Sequence, residues 1–435
     1  MAEHSSRSEI KVNQLEQLRS LLTEIFPANR FYARKLNELG ITFDVASLAD
    51  FSKRFPFTTK DELIQDQERN PPYGTNLTYP LSQFTRYHQT SGTTARPLRW
   101  LDTNESWAGL VESWAEIFRA AGVGPGDRVY FAFSYGPFIG FWLAFESAER
   151  LGCLCIPGGG LSSAARLQAM LENEVTVLCC TPTYALRLAE VAAQEGIDLS
   201  RSKVKKLIVA GEPGGSVPSV RERIAGAWGG ANVFDHHGMT ETGPVTYQCP
   251  AQPGVLHIIE SAYYAEVIEP DTGHPVAEGQ EGELVLTTLG RMGMPLLRYR
   301  TGDIVKTSNQ PANAAAERLG CACGRYEMAL KGGIIGRTDD MVVIRGVNVY
   351  PSAVDQIVRG NGDVAEYQVE VNRSGTLAEL AVTIEASGEC RDESGLAAKI
   401  RKAFQETLAL TVPVRIAPRG ALPRFEMKAK RWVVK

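Results

Sequence analysis

Apolar residues recur at helical spacing near the start of the chain. Leu15, Leu18, Leu21, Leu22 and Ile25 predict a helical segment over residues 8–38. Thr59 followed three residues later by Glu62 has the form of a capping box, which predicts a helix after the turn at 55–60. Residues 64–86 carry little periodicity and predict loop. From residue 104 the pattern becomes an alternation. Helices are predicted at 104–121, 161–174, 183–195 and 217–228, and short apolar strands at 128–133, 175–180 and 206–211. Such an alternation predicts an α/β domain with a mostly parallel sheet. After Pro244 strands follow one another closely, residues 283–288 being the clearest, so a β-rich, antiparallel, barrel-like subdomain is expected over 245–330. Residues 308–318 are polar and Ala-rich and predict a loose loop. From 338 the strand–helix pattern resumes on a smaller scale, with strands at 341–344, 365–371 and 377–385 and helices at 351–359 and 396–408. The expected organisation is a large N-terminal domain, 1–337, and a small α+β domain, 338–435.

Composition narrows the class. The 435 residues are 44% hydrophobic and 22% charged, ordinary for a globular chain with a large core. A net charge of −4 lacks the basic footprint of a nucleic-acid binder. The polar N-terminus lacks signal-peptide character and no apolar run is long enough to span a bilayer, so a cytoplasmic protein without a membrane partner is expected. Eight cysteines in so long a chain do not form a disulfide scaffold. Cys179 and Cys180 lie in an apolar run and read as reduced core residues.

The candidate chemistry lies in short stretches. Residues 90–97 read Thr-Ser-Gly-Thr-Thr-Ala-Arg-Pro. Small hydroxyl residues around a glycine let backbone N–H groups turn toward an anion, and Arg96 adds positive charge. The stretch suits nucleotide phosphates or an ordinary Ser/Thr-rich turn, and its spacing is not that of the P-loop. Gly211-Glu212-Pro213 follows a predicted strand, where α/β sheets bind ligands. Residues 235–244 read Asp-His-His-Gly-Met-Thr-Glu-Thr-Gly-Pro. Rings and an acid around a glycine can hold a planar base and a hard cation, with Glu241 a natural Mg²⁺ ligand beside phosphates. Neighbours on a strand face opposite ways, which gives His236 and His237 different roles. Asp303, after the tight turn at 297–302, can accept hydrogen bonds from both hydroxyls of a ribose. The charged turn around Arg337, Asp339 and Asp340 suits a hinge.

Taken in order, these motifs resemble the adenylate-forming superfamily. Residues 55–60, the short length, Cys321-Ala322-Cys323-Gly324-Arg325 and Leu422-Pro423-Arg424 are similar to its phenylacetate–coenzyme A ligase and aryl-CoA ligase branch. The resemblance implies two half-reactions. A carboxylate attacks the α-phosphate of ATP, giving an acyl-adenylate and pyrophosphate, and the thiol of coenzyme A then displaces AMP. It implies phosphate contacts from Ser91, Gly92, Thr93, Thr94 and Arg96. Thr240 and Glu241 would meet the α-phosphate and Mg²⁺. Gly211, Glu212, Pro213, Asp235 and His237 would border adenine, and Asp303 and Arg337 the ribose. Lys428 would bridge carboxylate and phosphate, with Lys430 as the alternative register. Asp339 would be the hinge about which the small domain turns, and Gly346 would line the thiol's approach. Similar ligases are often homodimers.

Several positions depart from the family pattern. Ala95-Arg96 replaces glycine-lysine, Phe425-Glu426-Met427 replaces the serine-glycine before the lysine, and His237 stands for a tyrosine. The acyl pocket implied includes Tyr135, Gly136, Phe138, Phe141, His236, Gly238 and Pro244, whose aromatics favour a small aromatic acid, arylacetic or substituted benzoic. His236 would then offer a hydrogen bond to a ring hydroxyl or amine, or serve structurally through Asp235 or backbone. Cys249, His257, Cys321 and Cys323 suit a structural Cys₃His Zn²⁺ site, or Cys321 and Cys323 are a reduced pair. Two other endings stay open: transfer of the acyl group to a carrier protein or an amine, and a non-catalytic nucleotide-binding homologue.

Overall fold

The computed structural model describes residues 5–90, 97–308, 321–345, 347–372, 378–425 and 429–434. Four helices open the chain. α1 (Arg7–Ala28) starts on a Ser6–Glu9 capping box and ends where Asn29, through its side chain, caps α2 (Arg30–Glu38). The segment predicted as one helical run is thus two helices, separated at Asn29. α3 (Leu48–Arg54) follows, and α4 (Lys60–Arg69) begins at the predicted Thr59–Glu62 box. It occupies the start of the stretch expected to be loop. Leu18, Leu22, Phe51 and Phe55 of this region pack with Trp100, Leu297 and Tyr299 in one core.

An antiparallel hairpin, β1 (Phe84–Gln89) and β2 (Arg99–Thr103), brackets residues 91–96. The α/β portion then runs α5 (Asn104–Ala120), β3 (Arg128–Phe131), α6 (Ile139–Arg150), β4 (Leu154–Pro157), α7 (Ser163–Glu172), β5 (Val177–Cys180), α8 (Pro182–Gln194), β6 (Lys206–Val209), α9 (Pro218–Ala227) and β7 (Asn232–Asp235). Its strands form a parallel sheet in the order β4-β3-β5-β6-β7. All five therefore point their carboxyl ends to one edge, where the loops after β3, β6 and β7 converge. α6 and β4 have no counterpart in the sequence expectation: 138–145 is an apolar run without a clean period, and polar residues come only at 146–150.

A short ribbon, β8 (Gly238–Met239) and β9 (Gly243–Pro244), leads into β10 (Thr246–Gln248), β11 (Val255–Ile258), β12 (Tyr263–Ile268), β13 (Glu281–Thr288), β14 (Tyr299–Thr307) and β15 (Ala329–Arg337). These last six pair antiparallel as β10-β11-β15-β14-β13-β12, the expected β-rich unit. Val245, Tyr247, Leu256, Leu284 and Leu286 share a core with Trp114, Phe118, Phe131 and Leu143 of the α/β portion.

Beyond residue 337 come β16 (Val342–Ile344), β17 (Val347–Val349), α10 (Pro351–Gly360), β18 (Val364–Asn372), β19 (Glu379–Ala386), α11 (Glu393–Leu408), β20 (Val414–Ala417) and β21 (Trp432–Val434). The sheet order is β20-β19-β18-β21. Val354, Val369, Val382, Ile400 and Phe404 lie in a core built from this portion's own residues.

Candidate active site

The stretch at 91–96, Gly346 and Lys428 lie outside the described residues. The residues on either side of 91–96 are described. Thr90 and Leu98 bond in both directions, Thr90 N–H to the Leu98 carbonyl at 3.0 Å and Leu98 N–H to Thr90 Oγ1 at 3.0 Å. Thr90 and Leu98 are thereby tied to each other.

Glu241 is buried. Its carboxylate meets Lys60 Nζ at 3.1 Å and accepts a hydrogen bond from the Tyr299 hydroxyl at 3.4 Å. The backbone of the Thr240–Glu241 pair is held from behind by Arg291. Its guanidinium donates to the two carbonyls at 2.9 and 2.8 Å, and it forks onto both oxygens of Asp102 at 2.6 Å each. Arg291 and Asp102 are both fully inside and join chain positions 189 apart. A bidentate pair of this kind fixes direction as well as charge.

Asp303 sits at 2% exposure on β14. Its Oδ1 accepts from Arg337 Nη1 at 2.9 Å, and its Oδ2 faces His237 Nε2 at 3.0 Å without the alignment of a hydrogen bond. Burial alone would raise its pKa, but His237 and Arg337 outweigh it and hold the carboxyl below the usual range. A buried, ionised carboxylate oxygen with spare acceptor capacity suits a sugar hydroxyl. Gly302 permits the turn ahead of it with φ +77°, and a Cβ there would lie 3.1 Å from Arg337 Nη2. Arg337 also forks onto Asp339 at 2.8 and 3.0 Å, so one guanidinium joins the Asp303 site to the expected hinge.

At the ends of β6 and β7 stand the Gly211-Glu212-Pro213 turn and Asp235. Glu212 does not project freely. Its Oε1 accepts the Thr183 N–H at 2.8 Å and its Oε2 the Ala429 N–H at 2.9 Å. Asp235 accepts from Ser216 Oγ at 2.5 Å, and burial pushes its pKa up to about 6. It does not satisfy His236, whose Nδ1 is buried without a partner. Burial, with the neighbouring His237, pushes His236 down to about 3, so the ring is neutral.

The aromatic residues expected around the acyl group gather where β3 turns into α6. Phe133 stacks on Phe141 at 4.4 Å, and Phe138 meets Phe141 edge-on at 5.9 Å. Tyr135 packs edge-on against Trp142 at 5.2 Å, and its buried hydroxyl has no partner. Gly136 gives its carbonyl to Trp142 Nε1. Across from α6, His236 stands edge-on to Trp114 at 4.5 Å. Gly238 and Pro244 pair in the β8–β9 ribbon, where a Cβ on Gly238 would come within 2.7 Å of the Gly243 carbonyl oxygen. Nothing local in the sequence marks Arg291, Asp102 or Trp114 as parts of a site, because each matters through a partner far along the chain, and Lys60, though it closes the 55–60 motif, does not show there that it pairs with Glu241.

The four residues of the Cys/His set are brought together. One ligand atom from each of Cys249, His257, Cys321 and Cys323 lies within 4.8 Å of all the others. Cys249 Sγ is 3.4 Å from Cys321 Sγ, and Cys323 Sγ is 3.4 Å from His257 Nε2. Nδ1 of His257 faces the Glu327 carbonyl at 3.4 Å, which leaves Nε2 for a ligand, and burial keeps the ring neutral with its pKa pushed down to about 4. Sulfurs around one zinc stand about 3.8 Å apart, and the donor set fits that ion.

Comparison with known proteins agrees with this geometry. The profile of the AMP-binding enzymes matches residues 87–293, and that of the AMP-binding enzyme C-terminal domain matches 346–434. The chain belongs to the adenylate-forming, AMP-binding enzymes. Within them it is a member of the phenylacetate–coenzyme A ligase family. It is 31% identical to the phenylacetate-coenzyme A ligase of Thermus thermophilus over 97% of this chain and 95% of that one. It is 33% identical to that of Pseudomonas putida over 98% and 94%. Among solved structures, 2-hydroxyisobutyryl-CoA ligase in its postadenylation state with 2-HIB-AMP is 29% identical and superposes with a TM-score of 0.92 over all of this chain and 91% of that one. The same ligase with CoA in its thioesterification state, 30% identical, gives 0.73 over 99% and 91%.

Proposed function

We propose that this protein is an ATP-dependent aryl-acid–CoA ligase that works through an acyl-adenylate and releases AMP and pyrophosphate. The observation that carries the reading is the Asp303 site: a buried, ionised carboxylate held between Arg337 on Oδ1 and His237 facing Oδ2. Asp303 takes the ribose hydroxyls and His237 lies against adenine. Attack by the carboxylate on the α-phosphate brings negative charges together, and preorganised positive groups lower that barrier. Arg96 and Lys428 are the cations assigned to this work, and Ser91, Gly92, Thr93 and Thr94 cradle the phosphates. Mg²⁺, when bound, offsets phosphate charge. Glu241, now paired with Lys60, would be the residue that holds it, while Arg291 keeps the Thr240–Glu241 backbone in place. The likeness to a postadenylation-state ligase supports a small domain docked for the first half-reaction. Asp339 is the hinge, and Gly346 lines the thiol path after rotation.

The acid is a small aromatic one. Phe133, Phe141 and Trp114 provide apolar faces, and the unpartnered Nδ1 of His236 and hydroxyl of Tyr135 favour a ring bearing a hydroxyl or amine. Coenzyme A is preferred over a carrier protein or amine as acceptor, because the curated relatives are coenzyme A ligases. Zn²⁺ is structural, held by Cys249, His257, Cys321 and Cys323. No helix among the described residues is long and apolar enough to cross a membrane. The reading places the enzyme in the cytoplasm as a homodimer, which fractionation and light scattering test.

The deciding experiment is pyrophosphate release with ATP and Mg²⁺ across a panel of aryl acids, with and without coenzyme A. The expected result is release with a defined acid and a coenzyme-A-dependent thioester. Release without thioester moves the acceptor to a carrier protein or amine. No release with any acid, together with no ATP binding, overturns the reading.

A further inference from the structure

The C-terminal segment that contains residue 428 is pinned on both sides to one helix of the large domain. Before it, Arg424 Nε approaches Glu190 of α8 at 3.6 Å, while its guanidinium also forks onto Glu385 of β19. After it, Arg431 is bound to Glu366 at 2.6 and 3.1 Å and reaches Thr183 Oγ1 of α8 at 3.5 Å. The shorter crossing is made by Glu212. Its Oε1 takes the N–H of Thr183 in the first turn of α8, and its Oε2 takes the N–H of Ala429, the residue after Lys428.

The first turn of α8 explains why the carboxylate stands there. Pro182 has no N–H, and Tyr184 N–H is taken by the Thr181 side chain. The Thr183 donor remains, and the positive end of the helix dipole favours a negative charge beside it. Glu212 is thus fixed from the large domain by one oxygen, and the other is aimed at the segment of the small domain that must reach the nucleotide. A carboxylate meets two N–H donors at once, whereas an amide offers one acceptor and turns an N–H₂ toward the other donor.

We propose that Glu212 is a positioning residue for adenylation: it docks the Lys428 segment on the first turn of α8 and lets go of it when the small domain turns for thioester formation. This rests on the reading of Lys428 as the adenylating lysine. It differs from a role beside adenine, because the adenine ring is present in both half-reactions and the Ala429 contact belongs to one domain arrangement.

The test measures the two half-reactions separately in the full-length enzyme. One is acid-dependent ATP–pyrophosphate exchange, and the other is thioester formation from supplied acyl-adenylate and coenzyme A. Loss of a hydrogen bond to a charged group corresponds to roughly tenfold or more. Glu212→Gln is expected to lower the ratio of adenylation to thioester formation roughly tenfold through kcat, with KM for ATP changed less than about twofold. Ala429→Pro deletes the donor from the other side and is expected to give the same direction of change. An unchanged ratio in both variants, or a Glu212→Gln loss expressed as a higher KM for ATP, overturns the proposal. Lys428→Ala, run in parallel, separates the two levels. If it leaves pyrophosphate exchange intact, the lysine reading falls and the clamp with it. If it abolishes exchange while Glu212→Gln does not shift the ratio, the clamp alone falls.

Discussion

Arg291 shows how much one side chain can decide. It neutralises Asp102 inside the protein, bonds the carbonyls of Thr240 and Glu241, and lies over the Trp100 ring at 5.2 Å. Removing one partner of a buried pair leaves an uncompensated charge, which costs about 3–5 kcal/mol. Arg291→Ala should therefore lose stability of that order in urea titration, and adenylation should fall as the Thr240–Glu241 backbone loosens. Arg291→Lys keeps the charge without the fork and should fall between. His236 makes a prediction about pH. The unfolded chain takes up its imidazole proton near 6.5, but the buried ring does not until about 3. Between those values the unfolded state binds more protons, so stability falls as pH falls. By pH 5 the loss from this one group is about 2 kcal/mol. The difference in unfolding free energy between pH 7 and pH 5, read from denaturant titrations, should shrink by that amount in His236→Phe. The motif residues at 235–244 and 303 could be picked out in the sequence by residue type, and the structure brings His237 and Asp303 to 3.0 Å of each other. Their fixers could not be picked out there, because an Asp102–Arg291 pair is invisible until the chain has folded across 189 positions.

Among elements, those with a clean period or a cap are the ones the sequence declares. α4 starts at Thr59 because Thr59 and Glu62 satisfy each other's backbone, and α5, α8 and α11 follow their apolar spacing. The break between α1 and α2 comes at Asn29, whose side chain caps α2 two residues after Pro27, and the apolar spacing that runs through 15–25 gives no sign of it. α6 and β4 carry weaker signals: α6 opens on an apolar run with its charged residues only at Glu146, Glu149 and Arg150, and β4 is four residues long with Leu154 exposed. The Cys₃His set acts at this scale too. Cys249 follows β10, His257 lies on β11 and Cys321 and Cys323 precede β15, so a bound ion would staple three neighbouring parts of one sheet. One equivalent of zinc per chain is expected by elemental analysis. Cys323→Ser should lower both the zinc content and the melting temperature, and a strong chelator should lower the melting temperature of the unaltered protein without affecting that of the variant.

At the level of the whole molecule, polar contacts are among those that join the two portions. Arg223 donates to the Val364 carbonyl, Ser219 to Gln356 at 3.4 Å, and Glu212 receives Ala429. Contacts of this kind can be exchanged for water at little net cost, which a rotating domain requires. The core of residues 342–414 has consequences of its own. A body that owns its interior can melt by itself. Calorimetry on the ligand-free protein should resolve two heat-absorption peaks, and a nonhydrolysable adenylate analogue that bridges the portions should draw them together. A protease admitted at 338–341 should leave two fragments that each keep their secondary structure. With its own interior, the small portion should be replaceable by a homologous one without rebuilding the large interior, and a chimaera that keeps the large portion's melting transition is the expected outcome.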